Sequence, residues 1–302
     1  MRSAPQPTAD VSVIVIAHDV REEVLTCLAS VEAHRGDLTV ESIVVDQGSS
    51  DGTADAVEDR FPAANVIRLP TNEGLAGRNH GLRSATGRLR MFLDSDARLT
   101  EGALPHMVKH IDEHPRVGLV GPRLVYPDGS LQLSARRFPP VALPLLRRPP
   151  LARLFEDSAV IRRHLMADEP HDRARRVEYV LGACQLFTAE AQRAAGEIDP
   201  RMFFGPDDAD WCFGIRTAGL DAVYLPEATV VHDYRRTSAR QPLSRAALAH
   251  LRHFLIFQWK WRRRRRELIE AGRAMDAQAW AARGLGAREL VLAASSRREE
   301  DG

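Results

Sequence analysis

Four short apolar runs alternate with helix-like stretches over the first 94 residues, and this alternation restricts the possible folds more than any other feature. The runs are 11–17 (VSVIVIA), 41–46 (ESIVVD), 65–69 (NVIRL) and 88–94 (RLRMFLD). The first two runs are rich in β-branched residues, which is typical of strands that are covered on both faces. The stretches with helical character lie between them, at about 20–34, 53–60 and 74–85. Strands that alternate with helices predict parallel βαβ units and a doubly wound sheet.

Two of the predicted strands end on acidic residues, which are Asp46 in the second strand and Asp94-Ser95-Asp96 in the fourth. Folding alone gives no reason for the second arrangement, because neighbouring carboxylates repel each other and resist burial. A divalent cation would give one, since Mg²⁺ and Mn²⁺ prefer oxygen ligands. Doubly wound sheets bind ligands at the carboxyl ends of their strands, so these side chains are candidates for one site. The alternative for the tripeptide is a solvated turn in which one aspartate caps the next helix.

Three further groups are candidates for the same edge of the sheet. Arg78 lies at a glycine-punctuated helix start, where backbone N–H groups and a positive charge favour an anion; a surface arginine is the alternative. Asp207 and Asp208 lie near another helix start, where the helix dipole alone stabilises negative charge. Crowding and burial beside aromatic residues would instead raise a carboxyl pKa and make one of them a general base. His232 ends a predicted strand and is either a structural residue or a ligand of metal or phosphate.

The composition is that of a globular protein and limits the partners. Hydrophobic residues make up 44% and charged residues 27% of the 302, and the formal net charge is +1. A charge this close to zero gives no reason to expect nucleic acid as a partner. The three cysteines, Cys27, Cys184 and Cys212, are far apart and odd in number, which predicts reduced thiols and a cytoplasmic protein. We expect no secretory signal and no membrane-spanning helix, because no apolar run has the required length or position.

The regular alternation of strands and helices is lost after about residue 120. Short strands are predicted around the Pro-Asp-Gly turn at 127–129, and a mobile loop or short helices over the proline- and arginine-rich stretch 138–176. The later elements predicted are a strand within 177–188, helices at about 189–195 and 208–218, and strands at 221–225 and 228–232. From residue 237 onward the sequence has helical character.

Five segments taken in order carry a resemblance to a known family. They are 11–19 (VSVIVIAHD), 44–53 (VVDQGSSDGT), 72–97 (NEGLAGRNHGLRSATGRLRMFLDSDA), 203–219 (FFGPDDADWCFGIRTAG) and 224–232 (YLPEATVVH). In this order they resemble the family 2 inverting glycosyltransferases of the GT-A fold. The stretch 121–140 (GPRLVYPDGSLQLSARRFPP) is similar to the bacterial rhamnosyltransferase-like branch of that family.

The resemblance implies an architecture and a reaction. The architecture is a mostly parallel, doubly wound α/β catalytic domain over 1–235, with a nucleotide-sugar half at about 10–120, an acceptor half at about 121–235 and a C-terminal helical extension over 236–302. The reaction would move a sugar, with rhamnose as one candidate, from a nucleoside diphosphate sugar to a hydroxyl of a saccharide or lipid-linked acceptor. Inversion follows from a single displacement. The implied cofactor is Mg²⁺ or Mn²⁺.

The resemblance also implies roles for residues at matching positions. The nucleotide-sugar-binding set is Ala17, Asp19, Asp46, Arg78, Asp94 and Ser95, in which Asp46 would contact the base and Arg78 the diphosphate. The metal-binding set is Asp96, Asp94 and His232, with Asp96 as the main ligand. The catalytic set is Asp208 and Asp207, of which Asp208 would take the proton. Gln47, His18-Asp19 and Asp207 depart from the usual family pattern, so these positions do not predict the base or the sugar.

The C-terminal part is strongly basic. Between Arg235 and Arg266 there are eleven arginines or lysines and no acidic residue. A basic amphipathic helix that carries Trp259 and Trp261 predicts contact with an anionic membrane surface, and hence a peripheral position on the inner face of the cell membrane. One alternative is a helix that packs its apolar face on the catalytic domain. Nucleic-acid binding is the other, and no recognition motif accompanies the charge.

Three other functions compete with glycosyl transfer. Nucleotidyl transfer would require a glycine-rich basic loop after the first strand, and residues 17–23 (AHDVREE) contain no glycine. A glycosidase also uses two carboxylates but does not need a D-x-D sequence after a buried strand. A non-catalytic sugar-nucleotide-binding protein at the membrane would not need to keep the acidic residues at 94, 96 and 208.

Overall fold

The computed structural model describes residues 7–146, 154–155, 157–203, 205–234 and 245–262. Its strands are β1 Val11–Ala17, β2 Val40–Gln47, β3 Asn65–Leu69, β4 Leu89–Leu93, β5 Ala97–Leu99, β6 Val117–Val125, β7 Leu131–Gln132, β8 Ala135–Arg136, β9 Arg175–Val177, β10 Tyr179–Val180, β11 Cys184–Thr188 and β12 Asp221–His232. Its helices are α1 Arg21–His34, α2 Thr53–Arg60, α3 Arg78–Ser84, α4 Ala103–Glu113, α5 Leu143–Leu146, α6 Ala159–Leu165, α7 Ala189–Ala195, α8 Asp207–Thr217 and α9 Arg245–Trp261, with a 3-10 turn at Gly74–Gly77. The part of the predicted extension after residue 262 lies outside the described residues.

Ten of these strands form one mixed sheet in the order β3-β2-β1-β4-β11-β6-β12-β5, with β7 on β6 and β9 on β12. The first four are parallel, as predicted. β11 runs antiparallel between β4 and β6, and beyond it β6 and β12 are again parallel. β8 and β10 form a separate antiparallel pair. Because the longest ladders are parallel, the prediction of a mostly parallel α/β architecture is confirmed.

The central strand β1 is almost entirely apolar because both faces of the sheet are covered there. Val13, Ile14 and Val15 in β1 are fully buried, and neighbouring residues of a strand point to opposite faces. Val15 belongs to the large core cluster that includes the buried residues of α1 and α4. On the other face, α3 lies so close to β1 that a side chain at Gly81 would collide with Ile14. This close packing determines where α3, and therefore Arg78 at its start, can lie.

Three features after β4 differ from the sequence prediction. β12 is one strand, whereas two strands at 221–225 and 228–232 were expected, and its register on β6 shifts between Leu225 and Thr229. Pro226 lies at this shift, and a proline has no N–H to donate to a ladder. β5 follows Asp96 directly and pairs antiparallel with the end of β12. Helix α4 was also missed by the sequence prediction.

The described part of the C-terminal extension is the helix α9. Phe254 of this helix is buried in a cluster with Leu143 of α5 and Ile161 of α6. The ring of Phe257 meets that of Phe213 edge-on, with 6.2 Å between the centroids. These contacts agree with the expected alternative in which the helix packs on the domain. Within the described ranges, every helix is too short or too polar to cross a bilayer.

Candidate active site

The strand ends of the sheet bring the predicted site residues to one edge. β1 and β2 are in register, so that Ala17 pairs with Asp46. β4 ends at Leu93, directly before Asp94. The short β5 then turns back along β12 and places Ala97 opposite His232. As a result, residues from the middle and the end of the domain meet beside the Asp-Ser-Asp tripeptide.

Asp94, Asp96 and His232 form the one group of three potential metal ligands found among the described residues. One ligand atom from each lies within 4.8 Å of the others. His232 Nε2 is 3.3 Å from Asp96 Oδ1 and 3.9 Å from Asp94 Oδ2. Two carboxylate oxygens and an imidazole nitrogen suit a divalent ion such as Mn²⁺, whose remaining positions water or phosphate oxygens can fill. The residues present therefore fit a metal ion.

Gln132 orients the ring of His232 through a hydrogen bond. The sequence prediction did not include Gln132. His232 Nδ1 lies 2.7 Å from Gln132 Oε1. Because an amide oxygen only accepts hydrogen bonds, Nδ1 carries the proton, and the lone pair of Nε2 can face the carboxylates when the ring is neutral. Burial lowers the pKa of His232, but the hydrogen bond to Asp96 and the charge of Asp94 outweigh it, so the pKa lies above its usual value. A bound cation would displace the proton that the charged ring carries on Nε2.

Arg78 connects this group to the segment that carries the predicted base. Its guanidinium donates from Nη2 to Asp94 Oδ1 at 2.6 Å and to Gly182 O at 3.2 Å, and from Nη1 to Asp207 Oδ2 at 3.4 Å. It also lies over the ring of Phe92, with 4.8 Å between Cζ and the ring centroid. The side chain is only 3% exposed. Since these contacts occupy both terminal nitrogens, a contact between Arg78 and a diphosphate stays a prediction.

Asp207 and Asp208 begin α8, as the sequence predicted to within one residue. Burial raises the pKa of Asp207, and the charge of Arg78 opposes this effect. Burial, followed by the charge of Asp207, raises the pKa of Asp208 to about 7. Asp208 Oδ1 accepts a hydrogen bond of 2.7 Å from the Ala209 N–H. A carboxyl group with a pKa near neutrality is suited to take a proton at physiological pH.

The predicted nucleoside-binding residues lie at the ends of β1 and β2. Asp46 is 4% exposed, and its Oδ1 has no hydrogen-bond partner among the described residues. An unsatisfied buried carboxylate oxygen is costly unless a ligand or water donates to it. Asp19 has a backbone φ of 53°, and its Oδ1 accepts from Ser50 N at 2.7 Å. This hydrogen bond lowers the pKa of Asp19 and joins the loops after β1 and β2.

A cleft of about 400 Å³ opens beside these strand ends. Of the predicted site residues, its walls include Ala17, Asp94, Ser95 and Asp96. The other lining residues are Ile16, His18, Val20, Glu23, Gln47, Asn72, Gly74, Leu75, Phe203 and Asp233. Its volume falls within the range of small-molecule sites. The cleft is therefore the part of the described structure in which we expect a nucleotide sugar.

Most of the predicted residues lie at the same edge of the sheet, but they do not all belong to one contacting group. Asp94, Asp96 and His232 form one group, and Arg78 links it to Asp207. Gln132 and Gly182 lie at the centre of the site without having been predicted, because an isolated glutamine or glycine has no distinctive sequence pattern. The assigned roles of all the predicted residues remain predictions.

Comparison with known proteins points to one family. The family model described as glycosyl transferase family 2 matches residues 12–180. The N-acetylglucosaminyl-diphospho-decaprenol L-rhamnosyltransferase of Mycobacterium tuberculosis is 28% identical over 238 residues, which are 70% of this chain and 72% of that protein. The pre-mycofactocin glycosyltransferase of the same organism is 32% identical over 68% of this chain and 40% of its own length.

Solved structures show the same fold at lower identity. GalNAc-T7, crystallised with UDP, GalNAc and Mn²⁺, has a TM-score of 0.59 and 16% identity over 83% of this chain and 47% of its own. The mannosyltransferase PcManGT from Pyrobaculum calidifontis, in complex with GDP-Man and Mn²⁺, has a TM-score of 0.53 and 21% identity, covering 94% of this chain and 82% of its own. The prediction of a GT-A fold is confirmed.

Proposed function

Because the chain belongs to glycosyl transferase family 2 and is a glycosyltransferase, we propose that it moves a sugar from a nucleoside diphosphate sugar to an acceptor hydroxyl with inversion. The observation that supports this most directly is the Asp94–Asp96–His232 group, joined through Arg78 to the segment of Asp208. A single displacement needs two parts. One is a group of metal ligands beside the diphosphate, and the other is a carboxylate that takes the proton of the acceptor hydroxyl.

Asp94, Asp96 and His232 would hold a divalent metal ion, for which Mg²⁺ or Mn²⁺ is our proposal. When bound, such an ion neutralises charge on the diphosphate and makes it a better leaving group. Gln132 holds the histidine ring so that Nε2 faces the two carboxylates. Asp46, with its unpartnered Oδ1, would accept a hydrogen bond from the base or ribose, and Asp19 and Ala17 would lie beside it.

Asp208 would act as the general base. Its pKa of about 7 leaves a large fraction of the carboxylate ionised at neutral pH, yet basic enough to take the proton of an acceptor hydroxyl. The oxygen of that hydroxyl forms a bond to the anomeric carbon as the bond from this carbon to the diphosphate oxygen breaks. Because the attack comes from the opposite face, the anomeric configuration inverts in one step. Asp207 would keep its charge paired with Arg78.

For the substrates, the relatives suggest L-rhamnose as the sugar and a diphosphate-linked lipid saccharide as the acceptor. The test is a thermal-shift panel of nucleoside diphosphates and sugar nucleotides, with and without Mn²⁺, followed by product analysis with a lipid-linked acceptor. We expect metal-dependent stabilisation by one nucleoside diphosphate and release of that diphosphate on transfer. Release of inorganic pyrophosphate would indicate nucleotidyl transfer instead. Binding without turnover would indicate a non-catalytic protein.

We also propose that the basic extension after residue 235 holds the enzyme on the inner face of the cell membrane. Three exposed apolar residues lie within two positions of the cluster that joins α5, α6 and α9: Val141, Val160 and Leu255. Arg252 is exposed one helical turn before Leu255. Exposed apolar groups with neighbouring arginines suit an anionic lipid surface.

Vesicle flotation tests the membrane proposal. Wild type should float with vesicles that contain phosphatidylserine and should stay unbound with pure phosphatidylcholine. Leu255→Glu should weaken the binding, whereas Ala63→Glu, at an exposed position between α2 and β3, is a control for the added negative charge. If wild type does not float with either kind of vesicle, the membrane proposal is wrong and glycosyl transfer is unaffected.

A further inference from the structure

Arg78 occupies an unusual position for a residue expected to bind substrate. It is the first residue of α3, and α3 is held tightly against β1 at Gly81. The side chain crosses the ring of Phe92 in β4 and ends between three segments that are far apart in sequence. These are the Asp-Ser-Asp tripeptide, the loop before β11 at Gly182 and the start of α8 at Asp207.

The contacts of Arg78 leave little room for a substrate contact. Nη2 makes two hydrogen bonds and Nη1 makes one, all to protein oxygens, and the side chain is 3% exposed. Nε has no hydrogen-bond partner among the residues that the structure describes, and it is itself buried. To reach a diphosphate, the guanidinium would have to break its contact with Asp94 or with Asp207. Breaking a buried ion pair by removing one partner is costly, because it leaves the other charge uncompensated.

The positive charge of Arg78 lies between the carboxylates of the tripeptide and those at the start of α8. Four carboxylates, at Asp94, Asp96, Asp207 and Asp208, lie around the site, and carboxylates that crowd each other resist ionisation. Burial raises the pKa of Asp207 and of Asp208, and in both cases the positive charge of Arg78 opposes the rise. The guanidinium lies between the carboxylates of Asp94 and Asp207 and contacts both.

We propose that Arg78 is a positioning residue, which holds the base-bearing start of α8 at a fixed distance from the metal-binding tripeptide and does not bind the donor. The expected loss of kcat rests on the proposed function, whereas the expected effect on the position of the start of α8 does not. A bidentate guanidinium can contact two carboxylates and a carbonyl at once in one plane. A lysine in its place keeps the charge but cannot span the same three oxygens.

Arg78→Lys is the main variant, and Arg83→Lys on the same helix is the matched control. Arg83 is exposed and pairs with Glu197 at the surface, so its change to lysine should have almost no effect. Donor-diphosphate affinity is measured with Mn²⁺ by calorimetry, and kcat is measured with saturating donor. We expect the affinity of Arg78→Lys to stay within about threefold and kcat to fall about 100-fold, as for a misplaced catalytic group.

Hydrogen exchange gives a readout that does not depend on activity. In Arg78→Lys, amides of residues 205–210 should exchange faster, whereas those of α1 should be unchanged. If Arg78→Lys does not fold, Asp207→Ala removes the same contact from the other side and should show the same pattern. A drop in diphosphate affinity of tenfold or more, with normal exchange at 205–210, would overturn the proposal and support direct donor binding. If wild type neither binds a nucleoside diphosphate nor transfers a sugar, the proposed function fails, and the exchange experiment still decides the role of Arg78.

Discussion

Asp208→Asn separates catalysis from folding at this site. Asparagine has almost the same shape as aspartate but cannot take a proton from an acceptor hydroxyl. A positioned general base contributes about 10²- to 10⁴-fold to the rate, which is roughly 3 to 5 kcal/mol of the barrier. We expect the transfer rate to fall by this amount. The affinity for the nucleoside diphosphate should stay the same, because Asp208 is not one of the three potential metal ligands.

Asp208→Asn should raise the stability of the protein at pH 8, although it lowers the transfer rate. The pKa of Asp208 is about 7 in the folded protein, against about 3.9 in an unfolded chain. When folding raises the pKa of an acid, the associated stability is complete below the unfolded pKa and is lost as the pH rises through the folded pKa. The difference of about three in pKa corresponds to at most roughly 4 kcal/mol, and coupling to Asp207 and partial solvent contact reduce it. At pH 8, Asp208→Asn should therefore melt a few degrees higher than wild type, with the gain vanishing near pH 4.

The assay combines release of the nucleoside diphosphate with metal-free melting curves from pH 4 to pH 8. Asp112→Asn is the control, because Asp112 is a surface residue that pairs with Arg88 and takes no part in the site. Activity within about threefold of wild type would show that Asp208 is not the base. A loss of both activity and stability would mean that Asp208 is a structural residue.

Four other predictions concern the residues of the candidate active site. Asp96→Asn should abolish the Mn²⁺-dependent part of the thermal shift by a nucleoside diphosphate, and an unchanged shift would rule out the ligand role. Gln132→Leu should weaken Mn²⁺ binding about 10- to 100-fold in a calorimetric titration, because the ring of His232 loses the partner that orients it; equal affinity would contradict this. Gly182→Ala should fold normally, since an added Cβ meets no atom closer than 3.4 Å, but its methyl group would touch Arg78 and Asp208; we expect about a tenfold lower rate, and a wild-type rate would show that this space is not used. The value of kcat/KM should rise with pH through an acidic limb near 7, because Asp208 must be ionised. Besides burial, the charged groups that act on the pKa of Asp208 are Asp207, Arg136 and Arg78. A limb near pH 4 would contradict the assignment.

The fold could be predicted from the first half of the chain because its signals are local. A run such as 11–17 is apolar at every position but Ser12, which is typical of a strand covered on both faces. After β4 the signals are weaker. β5 has three residues and β7 has two, so neither has a recognisable periodicity, and both form only because neighbouring strands supply their hydrogen bonds.

The sequence by itself determined the alternation of strands and helices up to β4, the parallel direction of those strands and the acidic residues at their ends, since these follow from local patterns and the short connections between them. Only the tertiary structure decided the partners of those residues. Arg78 meets Asp207 across 129 positions of the chain, and His232 meets Gln132 across 100. The pKa of Asp208 depends on burial and on charges from three separate segments. Such effects arise from distances in space, and no local pattern in the chain encodes them.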